Sequence, residues 1–417
     1  MDDKAFVSYD AILKQNPKIA QFFREQEWDV MQKSNSQVLE LLGEAWTKNL
    51  HDNLESLFDL HGTIKDGCWG QGHNRAVIGI GAGPTFNKNK DQLAELCWLD
   101  AKAEAEMGDH PFVFIASNHQ FKPCLELGII PHFVVLCDGS DVVFDQLCVD
   151  IPDKAKGCVL LCPLRSSNRV LKEWTKQGRS IKFYMGENPE MIDIFTDKMG
   201  YHPRDRGYTL THGGNVLNQM FLLGLRYLKS TVFMCVGNDL SYEYDTDLDK
   251  RRSTYYADGD YSTNLGTGRD EAKRCFPWMG YTLEESILCQ GEYMVKFEPR
   301  TTTGQLMLYK MWVENQVAVQ EAGSKPIHYY NCTEGGILGV ASRGGGALYW
   351  DEEKQRYMLS VADQVEKFND RDNWFLLDEV LPKRWHTTTL EKAAAGFLFA
   401  RTKLREREQE GRLIVGG

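Results

Sequence analysis

With 417 residues, 42% of them hydrophobic, the chain is too long for one minimal domain and has enough apolar material for a large core with smaller appendages. Its 59 acidic against 48 basic residues, a formal net charge of −11, argue against a nucleic-acid partner, which needs clustered cations to displace counterions. No run approaches the roughly 20 apolar residues that cross a bilayer, and Met1-Asp2-Asp3-Lys4 lacks the apolar segment of a secretory leader, so no membrane span and a cytoplasmic location are expected.

Residues 1–74 read as a helical N-terminal extension, because Val38, Leu41, Leu42, Trp46, Leu50, Leu54, Leu57 and Phe58 form one apolar stripe at helical spacing. A glycine-rich stretch, Gly62 to Gly72, ends it. Short apolar runs then recur at Ala76–Ile80, Phe112–Ala116, Phe133–Cys137, Cys158–Cys162, Ile181–Tyr184, Thr231–Val236 and Ile327–Cys332. They lack alternation and are bounded by polar turns, as strands buried on both faces of a parallel sheet are. Helical patterns separate them at Lys88–Met107, Val170–Gln177, Pro189–Met199, Asn215–Leu228 and Gly304–Ala322. This order predicts an α/β fold, a doubly wound, Rossmann-like and mostly parallel sheet over residues 75–345 that binds its ligand at the carboxyl ends of the strands. Residues 238–281 break the rhythm and read as a lid loop, carrying Lys250, Arg251 and Arg252. Residues 346–417 read as a mostly helical C-terminal extension, its dense charge from Lys403 to Arg412 marking a solvated helix face.

The 11 cysteines are scattered without a Cys-x-x-Cys pair, so neither a disulfide framework nor a zinc site is expected. Cys137, Cys235 and Cys332 sit in apolar runs, where a free thiol serves as a small hydrophobe.

Five polar clusters follow predicted strands or open predicted helices. Gly81-Ala82-Gly83-Pro84-Thr85 is either a turn whose amides meet a phosphate or simply a tight turn, and the Thr85 hydroxyl can cap a helix or touch the anion. Asn118 and His119 follow the second strand; Asn118 suits a base or sugar contact, and His119 is a candidate general base unless the pair only turns the chain. Asp138 ends a buried strand before Gly139, where a carboxylate binds a ribose hydroxyl or a divalent ion. His212-Gly213-Gly214-Asn215 opens a helix, with paired glycines that let a ligand press close and His212 as contact or cap. Gly237-Asn238-Asp239 ends a very apolar strand, and Asp239 is placed to orient substrate, activate a hydroxyl or hold metal.

In this order the clusters resemble the DUF115 (MptE-like) family, which includes the motility-associated-factor (Maf) glycosyltransferases and the MptE-like pterin diphosphokinases. The resembling segments are Ile80–Thr85, Leu127–Asp138, Gly213–Val216, Val236–Tyr242, Tyr309–Glu314 and Asn331–Gly336, within about residues 75–340. Where the family commonly carries Gly-Gly-Ser-Val and Gly-Gln-Asp-Leu-Ala-Tyr, this chain has Asn215, Asn238 and Ser241.

The resemblance, closest to the Maf branch, implies transfer of a nonulosonic sugar from a CMP-activated donor to an acceptor hydroxyl, with the terminal helices recognising a protein acceptor. Under that reading the catalytic candidates are Asp239, His119, His212 and Glu334, and the nucleotide or substrate contacts are Gly81, Gly83, Pro84, Thr85, Asn118, Asp138, Gly213, Gly214, Asn215, Gly237, Asn238 and Thr333; Asn118, His119 and His212 lie outside the resembling segments and rest on residue chemistry alone. The pterin branch implies instead transfer of diphosphate from ATP, with Mg²⁺ on Asp138 and Asp239. A third expectation is a nucleotide-binding assembly factor without catalysis, since fold does not guarantee activity.

Overall fold

Each of the seven apolar runs becomes a strand of one sheet. The computed structural model describes residues 28–186, 188–210, 215–243, 257, 276–285, 293–321, 327–339, 347–351, 356–360, 375–376 and 387–415. Helix α1 (Trp28–Ser56) and the short helices α2 (Phe58–His61) and α3 (Ile64–Cys68) lead into β1 (Ala76–Ile80). Next come α4 (Phe86–Met107), β2 (Phe112–Ser117), α5 (Asn118–Glu126), β3 (Phe133–Val135), α6 (Phe144–Leu147), β4 (Val159–Pro163), α7 (Asn168–Lys176), β5 (Ser180–Tyr184), α8 (Pro189–Met199), α9 (Val216–Arg226) and β6 (Val232–Val236). Then follow β7 (Tyr242–Glu243), β8 (Phe276–Glu285), β9 (Tyr293–Thr302), α10 (Gly304–Glu321), β10 (His328–Asn331) and β11 (Gly335–Gly336). The C-terminal part holds β12 (Ala347–Asp351), β13 (Arg356–Ser360), β14 (Phe375–Leu376) and α11 (Leu390–Val415).

The main sheet has the order β10-β6-β1-β2-β3-β4-β5, and every pairing in it is parallel. Burial on both sides explains the unbroken apolar runs: successive side chains enter opposite cores. Ala76, Ile78 and Ile80 share one core with Phe86, Leu93 and Leu96 of α4 and with Leu390, Ala393 and Ala394 of α11. Val77, Val113 and Ile115 share the other with Leu217, Met220 and Phe221 of α9 and with Trp46, Leu50 and Leu54 of α1.

Helix α1 is also fastened by polar contacts. Fully buried Asn53 donates to the carbonyls of Leu164 and Ser166, both at 2.7 Å, and accepts from Asn168 Nδ2 at 2.8 Å. Asn53→Ala strands all three partners, so the expected loss is about 3 kcal/mol, read as a lower urea midpoint at unchanged m-value.

A second, antiparallel sheet, β11-β8-β9-β14 with β7 on β9, was not expected from the sequence. Pro277, Gly280 and Pro299 interrupt the alternation that would have announced β8 and β9. The expected lid at 238–281 therefore contains β7 and ends in β8; Lys250, Arg251 and Arg252 lie outside the described residues. Ala257, described between them, rests on the glycine turn: its N–H donates to Ala82 O and its carbonyl accepts from Asn87 Nδ2, both at 2.9 Å. The described cysteines are free, and burial pushes the thiols of Cys68 and Cys158 up to about 12. Among the described residues no helix is long and apolar enough to cross a membrane.

Candidate functional site

From β1 the chain winds outward through β2 to β5, then crosses back to β6 on the other side of β1. The carboxyl ends of β1 and β6 are therefore the switch point at which doubly wound sheets open a cleft. Ile80 lies level with Val236, so the turns after them leave side by side and bond to each other: Gly81 N–H donates to Val236 O and Gly83 N–H to Gly237 O, both at 2.9 Å. This contact accounts for the glycines. A Cβ at Gly81 would stand 2.4 Å from Gly237 O, and one at Gly83 would stand 2.1 Å from Asp239 Oδ2.

Beside these turns lies a cavity of about 270 Å³, bounded by the ends of β1, β2, β3 and β6. It brings together Gly81, Gly83, Asn118, His119, Asp138, Asn215, Gly237, Asn238 and Asp239 of the residues expected from sequence. His212, Gly213 and Gly214 lie outside the described residues. Pro84, Thr85, Thr333 and Glu334 do not belong to the cavity wall. Thr85 acts from behind it, as described below. Thr333 is fully buried, its N–H on Asn331 Oδ1 at 3.2 Å. Glu334 takes a positive φ of 59° and accepts from Asn89 Nδ2 at 2.8 Å, while its own carbonyl accepts from Lys88 Nζ at 3.3 Å. It thereby ties the end of β10 to α4.

Asp239 is buried, and its two oxygens differ. Oδ2 accepts from the Thr85 hydroxyl at 2.8 Å and from Thr85 N–H at 3.3 Å, and so acts as a cap lent to the start of α4 by the neighbouring turn. Oδ1 is buried and has no hydrogen-bond partner. A buried acceptor left unpaired on a residue of the cavity wall is what a polar ligand would satisfy. Burial raises the Asp239 carboxyl to about 6, against the lowering effects of Thr85, Arg300 and Lys88. The next residue, Leu240, also lines the cavity and holds a positive φ of 52°. A branched side chain in that region is strained; the second sheet holds it there, with Thr302 Oγ1 on Leu240 O at 2.9 Å and Ile337 N–H on Asp239 O at 3.0 Å.

Two helices begin at the cavity wall. Ser117 caps α5, its hydroxyl accepting from Gln120 N–H at 3.3 Å. Asn215 caps α9, its side chain accepting from Asn218 N–H at 2.8 Å. Asn118 and His119 of α5, and Val216 and Leu217 of α9, face the cavity, so two helix N-termini and the glycine turn surround one volume, an arrangement suited to an anion. The sequence did not disclose Ser117, Cys137 or Gln146, which also line it. Gln146 lies on four-residue α6 in no motif, and only the tertiary fold delivers it. Cys137, expected as a core thiol, is half-buried in the wall, whereas Cys235 and Cys332 are fully buried.

For a divalent ion the cavity offers Asp138 and the open Oδ1 of Asp239, hard oxygen donors of the kind Mg²⁺ takes. A second donor group, Asp100, His110 and His132, lies at the opposite, amino-terminal edge of the sheet, its ligand atoms within 4.8 Å of one another. Its chemistry does not fit a metal. Phe114 N–H donates to His132 Nδ1 at 3.1 Å, so the neutral ring carries its hydrogen on Nε2, and the Arg75 guanidinium stands 3.4 Å from that nitrogen. Burial and Arg75 hold His132 well below the ordinary histidine pKa. Asp100 also accepts from Phe112 N–H at 2.8 Å, so this group fastens the starts of β2 and β3.

A parallel doubly wound sheet with a polar cavity at its switch point places the chain in the class of open α/β proteins that present a small-ligand cleft at the carboxyl edge. Residues 44–245, just under half of the chain, match the family model described as 6-hydroxymethylpterin diphosphokinase MptE-like. Over those residues the chain is similar to the MptE-like family. Among curated proteins none matches the sequence. Among solved structures, the MAf glycosyltransferase from Magnetospirillum magneticum AMB-1 is similar at 13% identity and a TM-score of 0.39, the match covering 72% of this chain and 40% of that one. This chain thus spans about two fifths of that protein's length.

Proposed function

We propose that this protein is a transferase that grips the phosphate of a nucleotide-activated donor at the switch point and passes the activated group to an acceptor hydroxyl, the donor being a CMP-linked sugar of the nonulosonic class. The observation that carries this reading is the convergence of two helix N-termini and the glycine turn on a cavity in which Asp239 Oδ1 has no partner. Each helix N-terminus is equivalent to roughly half a positive charge. Such a grip matches one phosphodiester better than a triphosphate. In the transfer the acceptor oxygen bonds to the anomeric carbon, the bond from that carbon to the phosphate oxygen breaks, and CMP leaves with its charge held by the turn and helix amides. Asp239 takes the acceptor's proton; a carboxyl raised to about 6 by burial is a suitable base near neutrality. The acceptor is a protein hydroxyl, recognised by the terminal helices.

A second reading is diphosphoryl transfer from ATP to a hydroxymethylpterin, favoured by the family model's description and by two carboxylates, Asp138 and Asp239, in one cavity wall. Those residues would hold Mg²⁺, which neutralises phosphate charge. A thermal-shift series with CMP and ATP, each with and without Mg²⁺, separates the two. CMP at a hundredfold excess over its Kd is expected to stabilise the protein by about 2.7 kcal/mol without Mg²⁺. A rise in Tm only with ATP plus Mg²⁺ would move the assignment to the second reading. No response to any nucleotide would remove both readings.

A further inference from the structure

A second cavity, of about 190 Å³, opens on the same edge of the sheet, past the ends of β4 and β5. Its wall is mostly apolar: Leu50 comes from α1, Pro163 and Leu164 from where β4 ends, Met185 from where β5 ends and Met191 from α8. One cation joins them. Arg165 donates from Nη2 to the carbonyl of Cys137 at 3.2 Å, and its guanidinium carbon lies 3.9 Å from the centre of the Trp46 ring, one turn before Leu50 on α1. Among the described residues no carboxylate forms an ion pair with Arg165, and no second acceptor takes its remaining N–H groups. Burial holds this guanidinium below its ordinary pKa. A desolvated charge without a counter-ion is costly, so a cavity that keeps one favours a ligand that supplies the opposite charge.

We propose that this second cavity is the acceptor subsite and that it takes an acidic side chain of a protein acceptor, the aliphatic stem against Leu50, Leu164, Met185 and Met191 and the carboxylate on Arg165. The acceptor role rests on the transfer reading given under Proposed function; the preference for an apolar group tipped with a carboxylate does not. Arg165 links the two cavities, since the carbonyl it holds belongs to Cys137 of the first cavity's wall. Position in the sheet sets the spacing. In the order β6-β1-β2-β3-β4-β5 the first cavity is centred between β1 and β2 and the second between β4 and β5, three strand spacings away. At about 4.8 Å for each strand the separation is about 14 Å, the reach of about four residues of extended peptide. An acceptor with its hydroxyl in the first cavity therefore carries its acidic residue about four positions away. Helix α1 supplies Leu50 to the wall and Trp46 to the arginine, and so gives the N-terminal extension a part in choosing the acceptor.

The test titrates the full chain with two alanine-based probe peptides by calorimetry. Each peptide holds one serine; one has glutamate about four residues to either side of it, and the other has glutamine there. The wild-type protein is expected to bind the glutamate peptide about tenfold more tightly, the margin of a charge-assisted hydrogen bond, and Arg165→Gln is expected to bind the two alike. Equal affinities for the wild-type protein, or no binding of either peptide, would overturn the proposal, and that comparison needs no variant to fold. A preference for glutamate that survives in Arg165→Gln would place the carboxylate elsewhere and overturn it too. CMP release from the sugar donor is followed with the same peptides. Release without a preference for glutamate keeps the transfer reading and removes this subsite, whereas a preference without release removes the acceptor role and keeps the pocket for an acidic residue.

Discussion

Gly81→Ala is expected to destabilise the protein by about 3 kcal/mol or more, at the upper end of what overpacking costs, and to abolish stabilisation by nucleotide. The added methyl would lie 2.4 Å from Gly237 O and 3.2 Å from Val236 O. Both obstacles are backbone and are themselves tied to this turn by the 2.9 Å bonds from Gly81 N–H and Gly83 N–H, so neither can rotate aside as a side chain would. The reciprocal position is no freer: Gly237 has φ +64° and would place a Cβ 2.5 Å from Gly81 O. Gly157→Ala, with nothing within 4 Å of its Cβ, is the matched control and is expected to be nearly neutral. Urea midpoints of the two variants without ligand decide the point. If Gly81→Ala were as stable as Gly157→Ala, the glycine would serve ligand approach alone.

That variant bears on how a glycine-rich turn is read from sequence. Gly81, Gly83 and Gly237 were expected at the site, and they line it, but the sequence suggested room for an anion where the structure first shows room for another turn. The partner of Gly81 lies more than 150 residues along the chain, and no local pattern names it. The strands of the main sheet were legible because a strand buried on both faces leaves an unbroken apolar run that tertiary context does not disguise. Helix α5 was not, because Asn118-His119 looks like a turn and Pro123 sits inside the helix. The second sheet escaped because its strands carry prolines.

The candidate residues divide along the same line. Asn118, Asp138, Asn215, Asn238 and Asp239 stand at strand ends or helix starts, and a doubly wound sheet brings such positions to one edge whatever their distance in sequence. Glu334 also follows a strand, yet it is drawn toward Asn89, 245 residues earlier, and away from the cavity wall. Which way a side chain turns at a strand end depends on partners that only the folded chain supplies. Gln146 shows the converse, a residue with no signature that reaches the wall because α6 packs beside α5.

Asp239→Asn is expected to make the protein more stable at neutral pH while removing transfer activity. Burial lifts this carboxyl from 3.8 to about 6, against the lowering influence of Thr85. Between those values the folded protein keeps a proton that the unfolded chain has released. The free energy of unfolding therefore falls as pH rises through that window, and the loss persists above it. At about 1.4 kcal/mol for each pH unit, the fall contributed by this residue is about 3 kcal/mol. Asparagine has no charge to desolvate and keeps a carbonyl able to accept from the Thr85 hydroxyl and N–H, so the cap on α4 survives. The variant should match the wild-type protein near pH 4 and exceed it by up to about 3 kcal/mol at pH 7, measured as the difference between two urea-unfolding series, in which the other carboxylates cancel. CMP release from the donor should fall at least about a hundredfold, the usual loss with a general base. A variant less stable than wild type at pH 7 would show that the charged bonds from Thr85 outweigh desolvation, making Asp239 chiefly an anchor for α4. Stability gained with activity lost would instead mean that the protein carries a buried, half-paired carboxylate against its own stability, which the open Oδ1 explains as a group kept for the ligand.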